Sequence, residues 1–254
     1  MSQQTPAPVR LITIPVSHYC EKVRWALIRS QIPFVEDRHM PPFHQFFTKR
    51  VGGKSVPVLV TATKVLTDSA DILKYVDEIA PPAAKLYPTN PQDLQQVEDL
   101  VKSFDLVLAP AVRQWAYFHI VSEKKLIQPL FCQGTPWYQK LLFPIIFKKI
   151  PAEIVKEYDI NPASAIVAHQ SITDIFEMVS KLLADGRRYL VGDRFSAADL
   201  AFATLAAPII SPAGYSIKLP AMSALPAQMA KGMEIFQATP AGKFVIRLYQ
   251  EETR

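Results

Sequence analysis

Residues 55–80, "SVPVLVTATKVLTDSADILKYVDEIA", change character part-way along. "SVPVLVT" and "KVLTD" are short β-rich runs close enough to pair as a hairpin. "SADILKYVDEIA" then takes up a helical spacing of apolar residues, and Pro81-Pro82 stop it. Pro57 stands early in the first of these strands, where it cannot donate to a sheet ladder. Taken alone it reads as an edge-strand proline. The alternative is a cis Val56–Pro57 bond that turns the Val56 backbone outward toward an extended ligand. Asp68 and Ser69 immediately precede the helix, and both residue types cap helix N-termini well. The same free N–H groups and positive dipole end would also bind a carboxylate, while Asp68 pairs with an amine. That combination suits the α-amino-acid end of a ligand.

Upstream, "RLITIPV" reads as a strand ending at Pro15, and "CEKVRWALIRSQ" as a helix with Val23, Ala26 and Leu27 on its inner stripe. "IPFVEDR" reads as a second strand. A stretch rich in Pro, Phe and His, "HMPPFHQFFTKRVGGK", links it to the hairpin. The order is βαβ, an irregular or helical link, then ββα, which fits a compact α/β domain of roughly 80 residues.

Downstream, "PPAAKLYPTNPQD" is a Pro-rich linker and the β signals fade. "DLQQVEDLVKSFDLVLAPAVRQWAYFHIV", "PASAIVAHQSITDIFEMVSKLLAD", "SAADLAFATLAAPII" and "AGKFVIRLYQEE" read as helices of an all-α domain. Within the third, Ser196 and Asp199 form a capping box flanked by the apolar pair Phe195 and Leu200, a structural device. Between the first two helices, prolines 129, 136, 144 and 151 break the chain. "WYQKLLFPIIFKKI" there could touch a membrane or a partner, but is expected rather to pack on the helical domain or to wall a ligand cleft.

The 254 residues are 49% hydrophobic with a formal charge of +5, so a full core is available. Basic residues come in pairs separated by acids, with no long basic run interleaved with aromatics, so nucleic acid is not expected as a partner. The two cysteines, Cys20 and Cys132, make no disulfide framework. The first ten residues lack the apolar region of a signal peptide. The uncharged run 200–217 is interrupted by Pro208, Pro212 and Gly214, and reads as a buried helix plus loop. Membrane contact is therefore not expected, and a soluble protein of a reducing compartment is. His39 and His44 lack a supporting Cys or carboxylate cluster, so no metal is expected.

Together, "SHYCEKVRWAL", "KSVPVL", "DSADILKYVDE" and "FSAADLA" resemble, in order and spacing, four motifs of the soluble glutathione transferase family, of the serine/cysteine type. They depart from it at His18, where many relatives have Pro or Ser, at Asp71, where Ala is usual, and in a longer insert around residues 128–160. The resemblance implies a thioredoxin-like N-terminal domain (residues 1–82), a linker (83–91) and an all-helical domain forming the electrophile site (92–254). It implies glutathione as co-substrate, an apolar electrophile, a homodimer and a cytoplasmic setting. It places Ser17 at the catalytic Ser or Cys position, with Cys20 as the alternative nucleophile of a thiol oxidoreductase. Val56 and Pro57 would meet the cysteinyl part of glutathione, Asp68 and Ser69 its γ-glutamyl end, and Lys54 its glycine carboxylate. A non-catalytic ligand-binding protein on the same scaffold is the third reading.

Overall fold

The computed structural model describes residues 8–252. Four strands, β1 (Val9–Thr13), β2 (Phe34–Arg38), β3 (Val58–Val60) and β4 (Val65–Leu66), form one sheet in the order β2-β1-β3-β4. β1 pairs parallel with β2 and antiparallel with β3, and β3 pairs antiparallel with β4. The parallel pair requires a crossover, which is α1 (His18–Arg29). The hairpin turn is held by Thr61, whose Oγ1 accepts from the amides of Thr63 and Lys64 at 3.2 and 2.9 Å. α2 (Phe43–Lys49) forms inside the Pro/Phe/His link, and α3 (Ser69–Ile79) follows β4. Leu11 and Leu59 of the sheet, Val23 and Leu27 of α1, and Ile72 and Val76 of α3 make the buried interior of this half.

The predicted long helix over 93–121 is present but not uniform. α4 (Pro91–Ser103) and α5 (Ala109–Ile120) are joined by a π-helical turn, Phe104–Leu108. The Pro-broken stretch holds three short helices, α6 (Lys124–Cys132), α7 (Trp137–Ile146) and α8 (Ile150–Glu157). α9 (Pro162–Leu182), α10 (Ala197–Ile210), α11 (Ala227–Ala238) and α12 (Pro240–Glu251) complete the domain. α10 is buried nearly all round, which fits the absence of charged residues after Asp199 in it. Its start is the anticipated capping box: the Ser196 amide and hydroxyl donate to Asp199 Oδ2 at 2.8 and 2.7 Å. Phe104, Phe176, Phe202 and Phe236 form an aromatic chain through the core.

The halves are tied together at several points. Asp77 of α3 accepts from the amides of Leu86 and Tyr87, and the Leu86 carbonyl accepts from the Ala197 amide at 2.9 Å. Tyr215 donates its hydroxyl to the Val16 carbonyl at 2.9 Å. The segment "WYQKLLFPIIFKKI" only partly meets expectation. Gln139 and Phe143 of α7 are fully buried, but Trp137, Leu141 and Ile145 face outward.

Candidate functional site

β1 ends at Thr13, and Pro15 and Val16 lead into Ser17, which is the N-cap of α1. Its Oγ accepts from the Cys20 amide at 3.4 Å, which satisfies one of the free donors of the first turn. Ser17 is half-buried and stands on the edge of a cleft whose other walls are mostly apolar: Tyr117, Leu130, Leu219, Met229 and Met233.

A second, polar cleft of about 640 Å³ opens beside it. Val56, Pro57, Asp68 and Ser69 line it together with Lys74, Glu98 and Lys102. The Val56–Pro57 bond is cis, and Pro57 immediately precedes β3, an inner strand of the sheet, so Pro57 is not an edge-strand proline. Asp68 is exposed at the N-cap of α3, and its Oδ1 accepts from the amides of Ala70 and Asp71 at 2.8 and 3.3 Å. Ser69, beside it, is buried in the cleft wall. Tyr19, Ser55, Val56 and Arg113 border both clefts. The structure thus brings Val56, Pro57, Asp68 and Ser69 together, with Ser17 one cleft away across Val56. Lys54 lines the apolar cleft next to Ser55 and Val56 and does not line the polar one.

Cys20 borders neither cleft. It is fully buried, and burial pushes its thiol pKa up by more than Arg24 and the Ser17 hydroxyl pull it down. A buried thiol of raised pKa is inert packing rather than an attacking sulfur. This corrects the reading of Cys20 as an alternative nucleophile.

Three groups at the site escaped the sequence. Arg113, on α5, makes no ion pair among the described residues; its guanidinium lies 4.0 Å from the centre of the Tyr158 ring. Tyr19 donates its hydroxyl to the Asp105 carbonyl at 2.8 Å, and burial raises its pKa to about 12. His18 is buried, and burial first, then the charges of Arg113 and Lys22, lower its pKa to about 3, so it stands neutral beside the site. Beneath these, Lys22 pairs with Asp105 across the two halves. Burial lowers the Lys22 pKa and raises that of Asp105, and each charge offsets the other's desolvation. The Tyr19 and Lys22 contacts to Asp105 join residues 86 and 83 positions apart, so no local spacing announces them.

His39 and His44 are not brought to a common ligand. His39 stacks on Phe47 at 3.5 Å between ring centres and lies 2.9 Å from the Gln139 side-chain amide. No group of three or more metal-ligating side chains occurs among the described residues.

A family profile described as "Glutathione S-transferase, N-terminal domain" matches residues 11–84. No curated protein sequence matches the chain. Among solved structures, the β-etherase LigF from Sphingobium sp. strain SYK-6 is 17% identical, with a TM-score of 0.61 over 95% of this chain and 99% of its own. A glutathione S-transferase from Methylobacterium radiotolerans JCM 2831, in complex with glutathione sulfonate, is 18% identical, with a TM-score of 0.55 over 94% and 95%. The Tau class glutathione S-transferase MiGSTU from mango is 17% identical, with a TM-score of 0.52 over 97% and 96%. Residues 11–84 therefore match the glutathione S-transferase N-terminal domain profile, and the chain as a whole has the glutathione transferase fold.

Proposed function

We propose that this protein is a glutathione transferase that joins the glutathione thiolate to an apolar electrophilic small molecule. The observation that carries the reading is the meeting of a polar and an apolar cleft along Val56, with the Ser17 hydroxyl at the apolar edge. Glutathione would lie in the polar cleft. Its γ-glutamyl carboxylate would meet the start of α3 at Ser69 and its amine would meet Asp68. The backbone of Val56 would pair with the cysteinyl residue. Its sulfur would then point toward Ser17 and the apolar cleft, where the electrophile is held.

A thiol of pKa about 8.5 is only about 3% ionised at pH 7. A hydroxyl hydrogen bond that lowers this by about two units raises the thiolate about 25-fold. The same shift weakens the nucleophile about 8-fold, with a Brønsted slope near 0.45. The net gain is about threefold, so most of the acceleration must come from holding sulfur and electrophile together. In this reading, the apolar wall of the helical domain does that. Arg113, a cation without an ion-pair partner among the described residues, adds favourable charge for the thiolate.

A role in detoxification in the cytoplasm and a homodimeric state accompany this proposal. Val65 and Ile79 on the sheet half, and Leu106 and Val107 on the helical half, are exposed apolar residues that a second copy would cover. The test is retention on immobilised glutathione, elution with free glutathione, and conjugation of an aromatic chloride. Retention without conjugation of any electrophile would favour a carrier, and no retention would remove the reading.

A further inference from the structure

The outer face of α7 runs against the ordinary pattern of a surface helix. Its inner face is anchored: Gln139 Oε1 accepts from the Met40 amide at 3.0 Å, and Phe143 is fully buried. The outer face carries Trp137, Leu141 and Ile145 at i, i+4 and i+8, with 75%, 69% and 69% of their surface exposed. The neighbouring Tyr138 touches Phe43 of α2 edge to face, at 6.3 Å between ring centres. One turn along α2, Phe46 is also exposed, with the Arg50 guanidinium over its ring. None of Trp137, Leu141, Ile145 and Phe46 borders either cleft. This face therefore has no part in the site described above.

Its sequence neighbourhood is cationic between the exposed Glu123 and Glu153. Residues 124–152 contain Lys124, Lys125, Lys140, Lys148 and Lys149 and no Asp or Glu. All five lysines are exposed. Lys49 and Arg50 add charge at the α2 end, and the stretch 39–50 also lacks acids. A second copy seated on this face about a two-fold axis would set these cations against themselves. An anionic surface complements them. A helix of ten residues is about 15 Å long, too short to cross a bilayer but suited to lying in its interface. Trp and long aliphatic side chains ringed by lysines are the composition that an interfacial helix presents to headgroups and acyl chains.

We propose that α7 and the adjoining tip of α2 dock on an anionic lipid bilayer, with Trp137, Leu141, Ile145 and Phe46 entering the interface and the surrounding lysines meeting headgroups. This replaces the expectation that the protein makes no membrane contact, and it is independent of the proposed enzymatic reaction. The test uses the full chain and two sets of vesicles, phosphatidylcholine alone and phosphatidylcholine mixed with phosphatidylglycerol. Co-sedimentation is expected with the second set only, weakening as salt is added. Trp25 and Trp115 are buried, so a blue shift of tryptophan emission on binding should vanish in Trp137→Phe. Lys148→Glu and Lys149→Glu should each lower partitioning by roughly fivefold or more. The triple variant Trp137→Ser, Leu141→Ser, Ile145→Ser alters exposed positions only, and should fold normally while losing binding at least tenfold. Equal sedimentation with both vesicle sets, or unchanged binding in the triple variant, would overturn the proposal. So would an absence of vesicle binding together with self-association that the triple variant abolishes, since that would make the face a contact between copies.

Discussion

Arg24 and Ser216 lie 192 residues apart, and the guanidinium of the first donates to the hydroxyl of the second at 3.1 Å. The same guanidinium donates to Glu36 at 2.6 Å, to Glu21 at 3.1 Å and to the Ile14 carbonyl at 3.2 Å. One buried cation thus joins α1, β2, the loop that carries Ser17 and the segment after α10. Burial works against the Glu36 carboxylate, but Arg24, Arg38 and Thr13 hold its pKa below the ordinary value. Arg24→Ala would leave two carboxylates without their shared partner. We expect a loss of about 3–5 kcal/mol in unfolding by urea. A loss under 1 kcal/mol would show that water or Arg38 takes over the role.

Ser17→Ala should lower kcat/KM for conjugation at pH 7 by about threefold, the net gain of the hydroxyl hydrogen bond, while the removed cap costs only about 1 kcal/mol of stability. Cys20→Ala should leave kcat/KM within twofold, because its thiol lies outside both clefts. Steady-state kinetics on the two variants, with circular dichroism to check folding, decide the matter. Full activity in Ser17→Ala would reject the assignment of Ser17.

Ser69→Ala should weaken glutathione binding by about 1–2 kcal/mol through loss of a charge-assisted hydrogen bond at the start of α3. Titration calorimetry reads this directly. An unchanged dissociation constant would place glutathione elsewhere.

His18 carries a pH signature of known sign. Its folded pKa of about 3 lies below the ordinary 6.5, so the unfolded chain binds the proton first. Stability is then complete above pH 6.5 and falls as the pH drops, down to about 3. At pH 5 the contribution from His18 alone is a loss of about 2 kcal/mol relative to pH 7.5. His44, lowered to about 4 by burial and the charge of His39, and His119 act in the same direction. His18→Gln should therefore make the decline between pH 7.5 and 5 shallower without abolishing it. Urea midpoints at the two pH values measure the difference. An equal decline in the variant would mean that His18 is charged in the fold.

The hairpin and the capped start of α3 were legible because their signals are local. Pro57, Asp68 and Ser196 each act on neighbours within a few residues. Arg113, Tyr19 and Lys22 were not legible, because their roles depend on a partner or wall supplied from the other half of the chain. The helix α11 was hidden by its small residues. Gly232 is required there, since a Cβ would come within 2.8 Å of the Trp115 ring. The outward apolar face of α7 misled for the opposite reason. Spacing tells that a helix has two apolar faces, but not which of them the fold covers.

One additional residue of winding at Phe104–Leu108 sets the angular phase between two halves of what is otherwise a continuous rod. There the Ala109 amide reaches back to the Phe104 carbonyl, five positions away. Before the turn, Gln95, Glu98 and Lys102 face the polar cleft; after it, Ala116 and Tyr117 face the apolar one, and Arg113 borders both. Each α-helical residue turns the backbone by about 100°. Deleting one residue in this segment would leave each half with its own apolar stripe intact, yet swing one set of cleft-facing side chains away from the other. The rod works as a coupling between two rooms, and its tolerance to insertion and deletion is set at this joint.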